Sequence, residues 1–207
     1  MSGMKNPTLV LLGMKGGTGK STVAIHLAVA AAETGRRVML LDTDPQATSV
    51  AWARQREAAE PKVTAARAYE AAKRLPTNGD CDLVVIDTAP RAETDISRLA
   101  ALASLIVIPL HCTMPDILAS EVAFRMAKAA KRPFVVVFNA VNPRGLEVAE
   151  VREALTAEGH TVAPVILAHR TSFARALSSG MAVTEFEGKG QAAEEIRNLW
   201  NWISNQL

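Results

Sequence analysis

Glycines, lysines and hydroxyl side chains are concentrated in one short segment near the start of the chain. The segment reads GMKGGTGKST over residues 13–22, and it lies between an apolar run and an Ala-rich stretch. Backbone N–H groups in a glycine-rich loop between a strand and a helix can surround an anion, which the helix dipole also favours. The segment therefore predicts a phosphate-binding loop made of Gly16, Gly17, Thr18, Gly19, Lys20, Ser21 and Thr22.

Three side chains of this loop point to a bound nucleoside triphosphate with Mg²⁺. We expect Lys20 to reach the β and γ phosphates, the Ser21 hydroxyl to bind Mg²⁺ and Thr22 to contact the α phosphate. A glycine-rich turn that only connected a strand to a helix would not explain why Lys20 and Ser21 follow the glycines. The strict consensus has glycine at position 14, where this chain has Met14, and Lys15 stands directly before the glycine pair. The loop is therefore a variant of the consensus.

Acidic residues follow two apolar runs farther along the chain. Asp42 ends the run VMLLD, Asp44 comes two residues later, and Asp87 ends the run LVVID. Because the carboxyl ends of parallel strands meet at the ligand-binding edge of an open α/β sheet, these carboxylates can converge on Mg²⁺ and an attacking water. We therefore expect Asp42 and Asp87, with Ser21, to hold the metal. Asp44 directly precedes Pro45, so an N-cap of the next helix remains an alternative for it.

Short apolar runs alternate with longer helical patterns along the chain, which is typical of βαβ units. The predicted strands are Thr8–Leu12, Val38–Asp42, Leu83–Asp87, Leu105–Pro109, Phe134–Asn139 and the less apolar Val162–Leu167. The predicted helices are Ser21–Thr34, Pro45–Glu60, Asp116–Lys131, Leu146–Glu158 and Gln191–Gln206, and no element is assigned to Arg67–Asp80. Runs such as LVVID lack polar alternation, as in strands covered by helices on both sides. The pattern predicts a single α/β domain with a mainly parallel, twisted sheet and helices on both faces.

Composition excludes several classes of protein. Of the 207 residues, 49% are hydrophobic and 4% aromatic, and 23 Lys and Arg against 21 Asp and Glu give a net charge of +2. This composition is globular, and the near balance of charge does not by itself indicate a nucleic-acid partner. Cys81 and Cys112 have neither zinc-site nor disulfide-framework spacing, and the first apolar run is too short for a signal sequence or a membrane span. We therefore expect a cytoplasmic protein.

The motifs KGGTGKST, LLDTDPQ and VVIDTAP, in this order, resemble those of the ParA/MinD group of deviant-Walker ATPases. The later segments VIPL with MPD, and RTSFA through GMAV, resemble the short, ParF-like partition ATPases of that group. The resemblance covers about residues 8–204 and implies a deviant-Walker P-loop NTPase fold. It implies one P-loop ATPase domain over residues 1–207, without a separate N-terminal DNA-binding domain.

The resemblance also implies a mechanism. In such proteins ATP drives formation of a homodimer, in which Lys15 would reach the phosphates bound by the other subunit. Asp44 would orient the hydrolytic water, Asp42 and Asp87 would hold Mg²⁺ through water, and Asn139 would contact adenine. An asparagine at a strand end also suits a turn, so both interpretations of Asn139 stay open. ATP hydrolysis is expected to be slow alone and faster with DNA and an adaptor protein of ParB or ParG type.

Non-specific DNA binding, and nucleoid association in the ATP state, are further expectations from the resemblance. Candidate contacts to DNA phosphates are the basic residues of the C-terminal half, Arg152, Arg170, Arg175 and Lys189. Any single one of them is more often an ordinary solvated surface charge.

Two other classes of protein also use such a phosphate loop. A MinD-like membrane-cycling ATPase would need a basic amphipathic C-terminal helix, but AAEEIRNLWNWISNQL carries Glu194 and Glu195 against a lone Arg197, which favours a helix docked on the core. No membrane partner is therefore expected. A reductase with an iron–sulfur cluster would need cysteines near the nucleotide, but Cys81 precedes the LVVID strand, so both cysteines are interpreted as structural.

Overall fold

Seven strands form the centre of the molecule, in a computed structural model that describes residues 6–76, 79–90 and 93–207. The strands are β1 (Thr8–Leu11), β2 (Val38–Asp42), β3 (Lys62–Ala65), β4 (Leu83–Asp87), β5 (Leu105–Leu110), β6 (Phe134–Val141) and β7 (Leu167–Ala168). They form one sheet in the order β3-β2-β4-β1-β5-β6-β7, and each described pair of neighbours is parallel. The central strand β1 thus delivers the glycine-rich segment to the middle of the carboxyl edge.

Helices connect these strands. They are α1 (Lys20–Glu33), α2 (Thr48–Ala53), α3 (Ala71–Arg74), α4 (Glu93–Ala100), α5 (Met114–Ala129), α6 (Leu146–Ala157), α7 (Thr171–Ser178), α8 (Val183–Phe186) and α9 (Gln191–Ser204). A single 3-10 turn at Ala68–Glu70 leads into α3. In the part of the chain that the structure describes, no helix is both long and apolar enough to span a bilayer.

Alternate residues of each strand feed two separate cores. Leu9 and Leu11 of β1 pack with α1, α8 and α9, whereas Val10 of the same strand packs with α4, α5 and α6. This is the consequence of the period of two in a strand that helices cover on both faces. The predicted α/β fold with a parallel sheet and helices on both faces is confirmed.

The C-terminal helix is part of the first core. Ile196, Leu199, Trp200 and Ile203 lie on one face of α9 and are at most 2% exposed. The guanidinium of Arg36 lies 5.2 Å above the Trp200 ring and closes the outer side of this contact. The expectation of a helix docked on the core is confirmed.

Several predicted boundaries are wrong. The helix expected over Pro45–Glu60 is limited to α2, since residues 54–60 leave the helix and lead into β3, a short half-buried edge strand that sequence analysis missed. The strand expected over Val162–Leu167 is reduced to an isolated bridge at Val162 and the two residues of β7. Helices α3, α4, α7 and α8 and the 3-10 turn before α3 were not predicted.

Candidate nucleotide site

The glycine-rich loop closes over the N-terminus of α1. Gly17 and Gly19 have φ angles of 82° and 88°, the left-handed region that residues with a Cβ rarely adopt. Helix α1 begins directly afterwards at Lys20, so its unpaired N–H groups face the loop. A cavity of 540 Å³ lies in front of them, a volume in the range of small-ligand sites. Its walls are Gly16, Gly17, Gly19, Lys20, Ser21, Thr22, Asp44, Pro45, Gln46, Thr48, Ala89 and Pro90.

Lys20 is a buried cation at the floor of this cavity. Its side chain is 5% exposed, and its Nζ donates to the Lys15 carbonyl at 3.0 Å. Burial lowers the pKa of Lys20, while the charges of Asp87 and Asp44 oppose that change. Negatively charged phosphates in the cavity would offset the desolvation of this ammonium, as expected of a phosphate-binding lysine.

Asp87 leaves one polar atom unsatisfied beneath the cavity. It is fully buried at the end of β4, its Oδ2 accepts from Ser49 Oγ at 2.9 Å, and its Oδ1 has no partner. Burial raises the pKa of Asp87 to about 7, against hydrogen bonds from Ser21 and Ser49. A buried carboxylate oxygen without a partner, next to the Ser21 hydroxyl, fits a divalent cation with oxygen ligands. The residues present therefore fit Mg²⁺.

Asp42 faces Asp87 across the two adjacent strands but has a different set of contacts. The two residues are register partners of β2 and β4. Both carboxylate oxygens of Asp42 accept backbone N–H groups, Oδ1 from Asp44 at 3.0 Å and Oδ2 from Val50 at 3.1 Å. Burial raises the pKa of Asp42, and these backbone donors oppose it. Asp42 therefore fixes the loop that carries Asp44, and a metal contact through water would be additional to this.

Asp44 lines the cavity from the loop after β2. Its Oδ1 accepts from the Gln46 backbone N–H at 2.9 Å, which makes a tight turn of residues 44–46. Helix α2 begins later, with Ala47 as its N-cap and no side-chain cap bond, so the N-cap alternative for Asp44 is wrong. One carboxylate oxygen of Asp44 is thus used by the turn.

Lys15 points away from the cavity of its own chain. It is absent from the cavity wall, and its Nζ lies 2.5 Å from Asp116 Oδ1 in the first turn of α5. The Lys15 side chain is 46% exposed, whereas that of Asp116 is 3% exposed. The backbone carbonyl of Lys15, in contrast, is bonded inside the loop by Lys20.

Asn139 lies under the loop rather than at a strand end. It is inside β6, 7% exposed, and its Nδ2 donates to the Thr18 carbonyl at 2.9 Å. A Cβ placed on Gly19 would lie 2.1 Å from that Nδ2, so glycine is needed there for space as well as for its φ. The interpretation of Asn139 as a strand-terminal turn residue is wrong, and its contact with adenine remains a prediction.

Some site residues were missed by sequence reasoning. Ser49 holds Asp87, Thr43 and Thr88 tie the ends of neighbouring strands together, and Asp116 pairs with Lys15. Thr43 and Thr88 each follow an acidic strand end directly, which is a usable signal. Ser49 and Asp116 come from separate helices, and although Asp116 stands in the MPD segment of the resemblance, nothing in the local sequence indicated a contact with the loop for either residue.

The four candidate DNA contacts fall into two places. Arg170 at the start of α7 pairs with Glu195 at 2.7 Å, and Arg175 is exposed on α7, with its guanidinium 5.2 Å from the Phe186 ring. The exposed Lys189 lies in the short connection between α8 and α9. Arg152 is on α6 in the other layer, where it donates to the Ala163 carbonyl and covers the Phe138 ring. The structure therefore groups the first three near α7–α9 and separates Arg152 from them.

The two cysteines lie at opposite ends of the parallel strands, Cys81 on the amino side and Cys112 on the carboxyl side. Cys81 is buried just before β4, and Cys112 is half-buried just after β5. Burial raises the pKa of the Cys112 thiol to about 11, so this thiol stays protonated at neutral pH. Among the described residues no group of three metal-ligating His, Cys, Asp or Glu side chains occurs.

Comparison with known proteins places the chain in a family. The CobQ/CobB/MinD/ParA nucleotide binding domain family matches residues 9–183. The chain belongs to this family. The matched range contains the glycine-rich loop, both acidic strand ends, Asn139 and Asp116, so the site described above lies within the segment that matches a nucleotide binding domain.

Individual relatives extend over nearly the whole chain. A maintenance of carboxysome distribution protein A from Gloeobacter kilaueensis is 29% identical and aligned over 93% of this chain and 94% of its own length. The protein ParA from Rhizobium radiobacter is 27% identical over 93% of this chain and 92% of its own. The structure of McdA from Cyanothece in complex with ATP matches with a TM-score of 0.74 and 13% identity, over 99% of this chain and 97% of that one. This last likeness shows the fold alone.

Proposed function

We propose that this ParA/MinD-family protein is a ParA-type ATPase that dimerises on ATP, binds DNA non-specifically and positions or partitions a cargo through an adaptor protein. The cavity supports ATP as the ligand, because phosphate-directed N–H groups, Lys20 and Ser21 meet there. Ser21 and Asp87 would hold Mg²⁺, with Asp42 behind them. The metal, when bound, supplies positive charge to the β and γ phosphates.

The position of Lys15 is the observation that supports the proposed ATP-dependent dimer. Lys15 stands in the phosphate loop but its ammonium is outside the cavity of its own chain and half-exposed. A lysine directed out of its own cavity is placed to serve phosphates bound by a second copy, as an arginine finger supplied in trans does. Asp44, which lines the cavity, would orient the water.

The cargo and the adaptor follow from relatives by analogy. One relative is named for carboxysome distribution and another is a ParA protein, and both align over more than nine-tenths of this chain. The first name refers to carboxysome distribution, and the resemblance to ParA implies partition, so positioning of a cargo is common to both. The DNA surface would be the region around Arg170, Arg175 and Lys189, which would place the ATP-bound dimer on the nucleoid.

Sedimentation velocity with AMPPNP and with ADP tests the dimer. We expect the wild-type chain to dimerise with AMPPNP only and Lys15→Gln to bind nucleotide but remain monomeric. Lys128→Gln removes an exposed lysine of α5 and should dimerise normally. A nucleotide-dependent dimer of Lys15→Gln would show that the loop works within one subunit.

Nucleotide-binding and hydrolysis assays distinguish the roles of Lys20 and Asp44, the two other charged residues of the site. Lys20→Ala should lose nucleotide binding, because the phosphates lose their buried cation. Asp44→Ala should still bind ATP and dimerise but lose turnover, since only the water would be misplaced. Hydrolysis by Asp44→Ala at the wild-type rate would remove Asp44 from the catalytic residues.

A further inference from the structure

A buried hydroxyl group lies behind the candidate metal site. Ser49 is the second residue of α2, it is 0% exposed, and its Oγ donates to Asp87 Oδ2 at 2.9 Å. A serine in a helix can donate to a backbone carbonyl one turn back, but this hydroxyl donates to a carboxylate at the end of β4 instead. The described wall of the nucleotide cavity does not include Ser49, so its side chain can act on that site through Asp87.

The Asp87 carboxylate is held through one of its two oxygens. Thr43 fixes the backbone of Asp87, because the N–H and the Oγ1 of Thr43 both donate to the Asp87 carbonyl, at 2.9 and 2.8 Å. Ser49 holds the side chain through Oδ2, and Oδ1 is the oxygen that has no partner. The carboxylate torsion of an aspartate is broad, so one directed donor decides which oxygen stays free.

The other polar groups near this carboxylate have different uses. The Ser21 hydroxyl is itself a proposed ligand of the metal, and the Nζ of Lys20 donates to the Lys15 carbonyl at 3.0 Å. Lys20 forms no ion pair with any of the residues that the structure describes. Ser49 is therefore the donor that can stay on Asp87 while phosphates and a metal are bound.

Contacts of helix α2 hold Ser49 in place. The N–H of Val50 donates to Asp42 Oδ2 at 3.1 Å, which ties the first turn of the helix to the end of β2. Farther along the helix, Trp52 is 3% exposed and its Nε1 donates to the Met181 carbonyl at 3.2 Å. The hydroxyl thus belongs to a helix that is fixed by contacts on both sides of it, so it is a rigid support for the carboxylate.

We infer that Ser49 is a positioning residue for the divalent cation of the nucleotide site, an inference that rests on the binding of ATP and Mg²⁺ proposed above. It holds Asp87 through Oδ2 and so keeps Oδ1 free and oriented for the metal or for a water bound to it. Mg²⁺ requires nearly ideal octahedral geometry, whereas Ca²⁺ accepts irregular geometry and a variable number of oxygen ligands. Loss of the Ser49 hydroxyl should therefore weaken binding of Mg²⁺ more than binding of Ca²⁺.

Calorimetric titration with AMPPNP in Mg²⁺, in Ca²⁺ and in EDTA tests this role. Ser49→Ala should weaken binding of Mg²⁺–AMPPNP by about tenfold, the lower end of the effect of removing a hydrogen-bond partner from a metal ligand. Binding of Ca²⁺–AMPPNP should weaken less, so the ratio of the two affinities should fall. Binding in EDTA should stay within about twofold of the wild type, because Lys20 and the glycine-rich loop are unchanged.

Three further variants separate positioning of Asp87 from a general loss of packing. Ser49→Cys keeps the shape of the side chain and has a weaker donor, so its effect on Mg²⁺–AMPPNP should be smaller than that of Ser49→Ala. Ser120→Ala removes another buried serine hydroxyl, one that donates to a backbone carbonyl in α5, and should leave all three affinities unchanged. In an Asp87→Asn background, Ser49→Ala should have no further effect on Mg²⁺–AMPPNP, because the carboxylate that it positions is gone.

The outcomes distinguish this inference from the proposed function. Equal weakening of Mg²⁺–AMPPNP and Ca²⁺–AMPPNP, or an equal loss in EDTA, would assign a purely structural role to Ser49 and overturn the inference alone. Wild-type affinity of Ser49→Ala for Mg²⁺–AMPPNP, or a further loss in the Asp87→Asn background, would do the same. A wild-type chain that binds AMPPNP no more tightly with Mg²⁺ than in EDTA would overturn the proposed metal site and this inference with it.

Discussion

Asp87 makes the stability of the nucleotide-free protein depend on pH. Its pKa is raised from the ordinary value of 3.8 to about 7, chiefly by burial. The folded protein therefore binds this proton more tightly than the unfolded chain does. As the pH rises through the interval between the two values, the free energy of unfolding falls, and the full loss is reached above about pH 7.

Replacement of Asp87 by Asn should remove this pH-dependent loss. At pH 8, without nucleotide or Mg²⁺, Asp87→Asn should raise the free energy of unfolding by on the order of 1–4 kcal/mol, and the gain should shrink near pH 5. Urea unfolding at both pH values measures it. Asp82→Asn should instead lower the free energy of unfolding, because hydrogen bonds from Arg37 hold the pKa of Asp82 at about 2 and this charge stabilises the fold. No gain for Asp87→Asn at pH 8 would show that the carboxyl has another partner.

Asn139 supports the loop through its bond to the Thr18 carbonyl, and we expect this support to matter for phosphate binding. Asn139→Ala should weaken binding of ATP and of inorganic tripolyphosphate alike, each by about fivefold, since a neutral hydrogen bond contributes about 1 kcal/mol. Calorimetric titration with both ligands measures the two effects. A loss for ATP only would indicate the adenine contact instead.

At this scale the sequence could predict residues that share one contiguous motif. Gly16 to Thr22 is such a motif, and each strand that ends in an aspartate brings its carboxylate to a predictable edge. Lys15 could be recognised by its position, but its partner Asp116 is 101 residues away along the chain. Only the placement of α5 beside the loop makes that pair.

Helix α2 connects the nucleotide site with the α7–α8 region. At its start, Ser49 and Val50 donate to the buried carboxylates of Asp87 and Asp42. Two residues later Trp52 Nε1 donates to the Met181 carbonyl, and the chain just beyond approaches so closely that a Cβ on Gly180 would lie 2.5 Å from the Gln55 carbonyl. One short element thus contacts both regions.

Arg56 is the strongest contact of this connection. Its side chain is 6% exposed, and it forms two 2.7 Å bonds to Glu185 while its guanidinium lies 4.9 Å from the Trp52 ring. Glu185→Gln would leave this buried cation with carbonyl partners only. The free energy of unfolding should fall by about 1–3 kcal/mol, because the lost hydrogen bonds are charge-assisted. Urea unfolding measures it, and Glu187→Gln, an exposed neighbour, should change it little; equal effects would make the Arg56 pair unimportant.

The same contacts explain where prediction of elements failed. The helix predicted over Pro45–Glu60 forms only at α2. Residues 54–60 leave the helix, which brings Arg56 to Glu185 and leads the chain into β3. The end of α2 therefore depends on a contact between Arg56 and Glu185, which are 129 positions apart, and a local sequence pattern cannot predict it. Strands β1, β2, β4 and β5 were predictable because their apolar runs are long and buried on both faces.

The distribution of charge over the whole molecule matters more for the proposed DNA binding than its net charge of +2. Arg170, Arg175 and Lys189 lie together near α7–α9, but Arg170 is already paired with Glu195. Arg175 and Lys189 are both exposed and take part in no ion pair among the described residues, so they are the cations of this group better placed for a phosphate. Arg152 is occupied by the Ala163 carbonyl and the Phe138 ring in the other layer, so Arg152→Ala should affect DNA binding less than Arg175→Ala.

DNA affinity of the ATP-bound dimer should fall steeply with salt and not depend on sequence. Each phosphate contact adds on the order of 0.9 to the slope of log affinity against log salt, and a dimer presents two copies of Arg175. Arg175→Ala should therefore flatten the slope by about one to two units for two unrelated duplexes alike, while basal ATP hydrolysis stays unchanged. Titrations of both duplexes over a range of salt, with AMPPNP and with ADP, measure it. Arg125→Ala, an exposed arginine of α5, controls for the loss of charge and should leave the slope as it is. Equal binding with both nucleotides, or a strong preference for one duplex, would instead indicate constitutive or sequence-specific recognition, because neither property follows from phosphate contacts that are doubled on dimerisation.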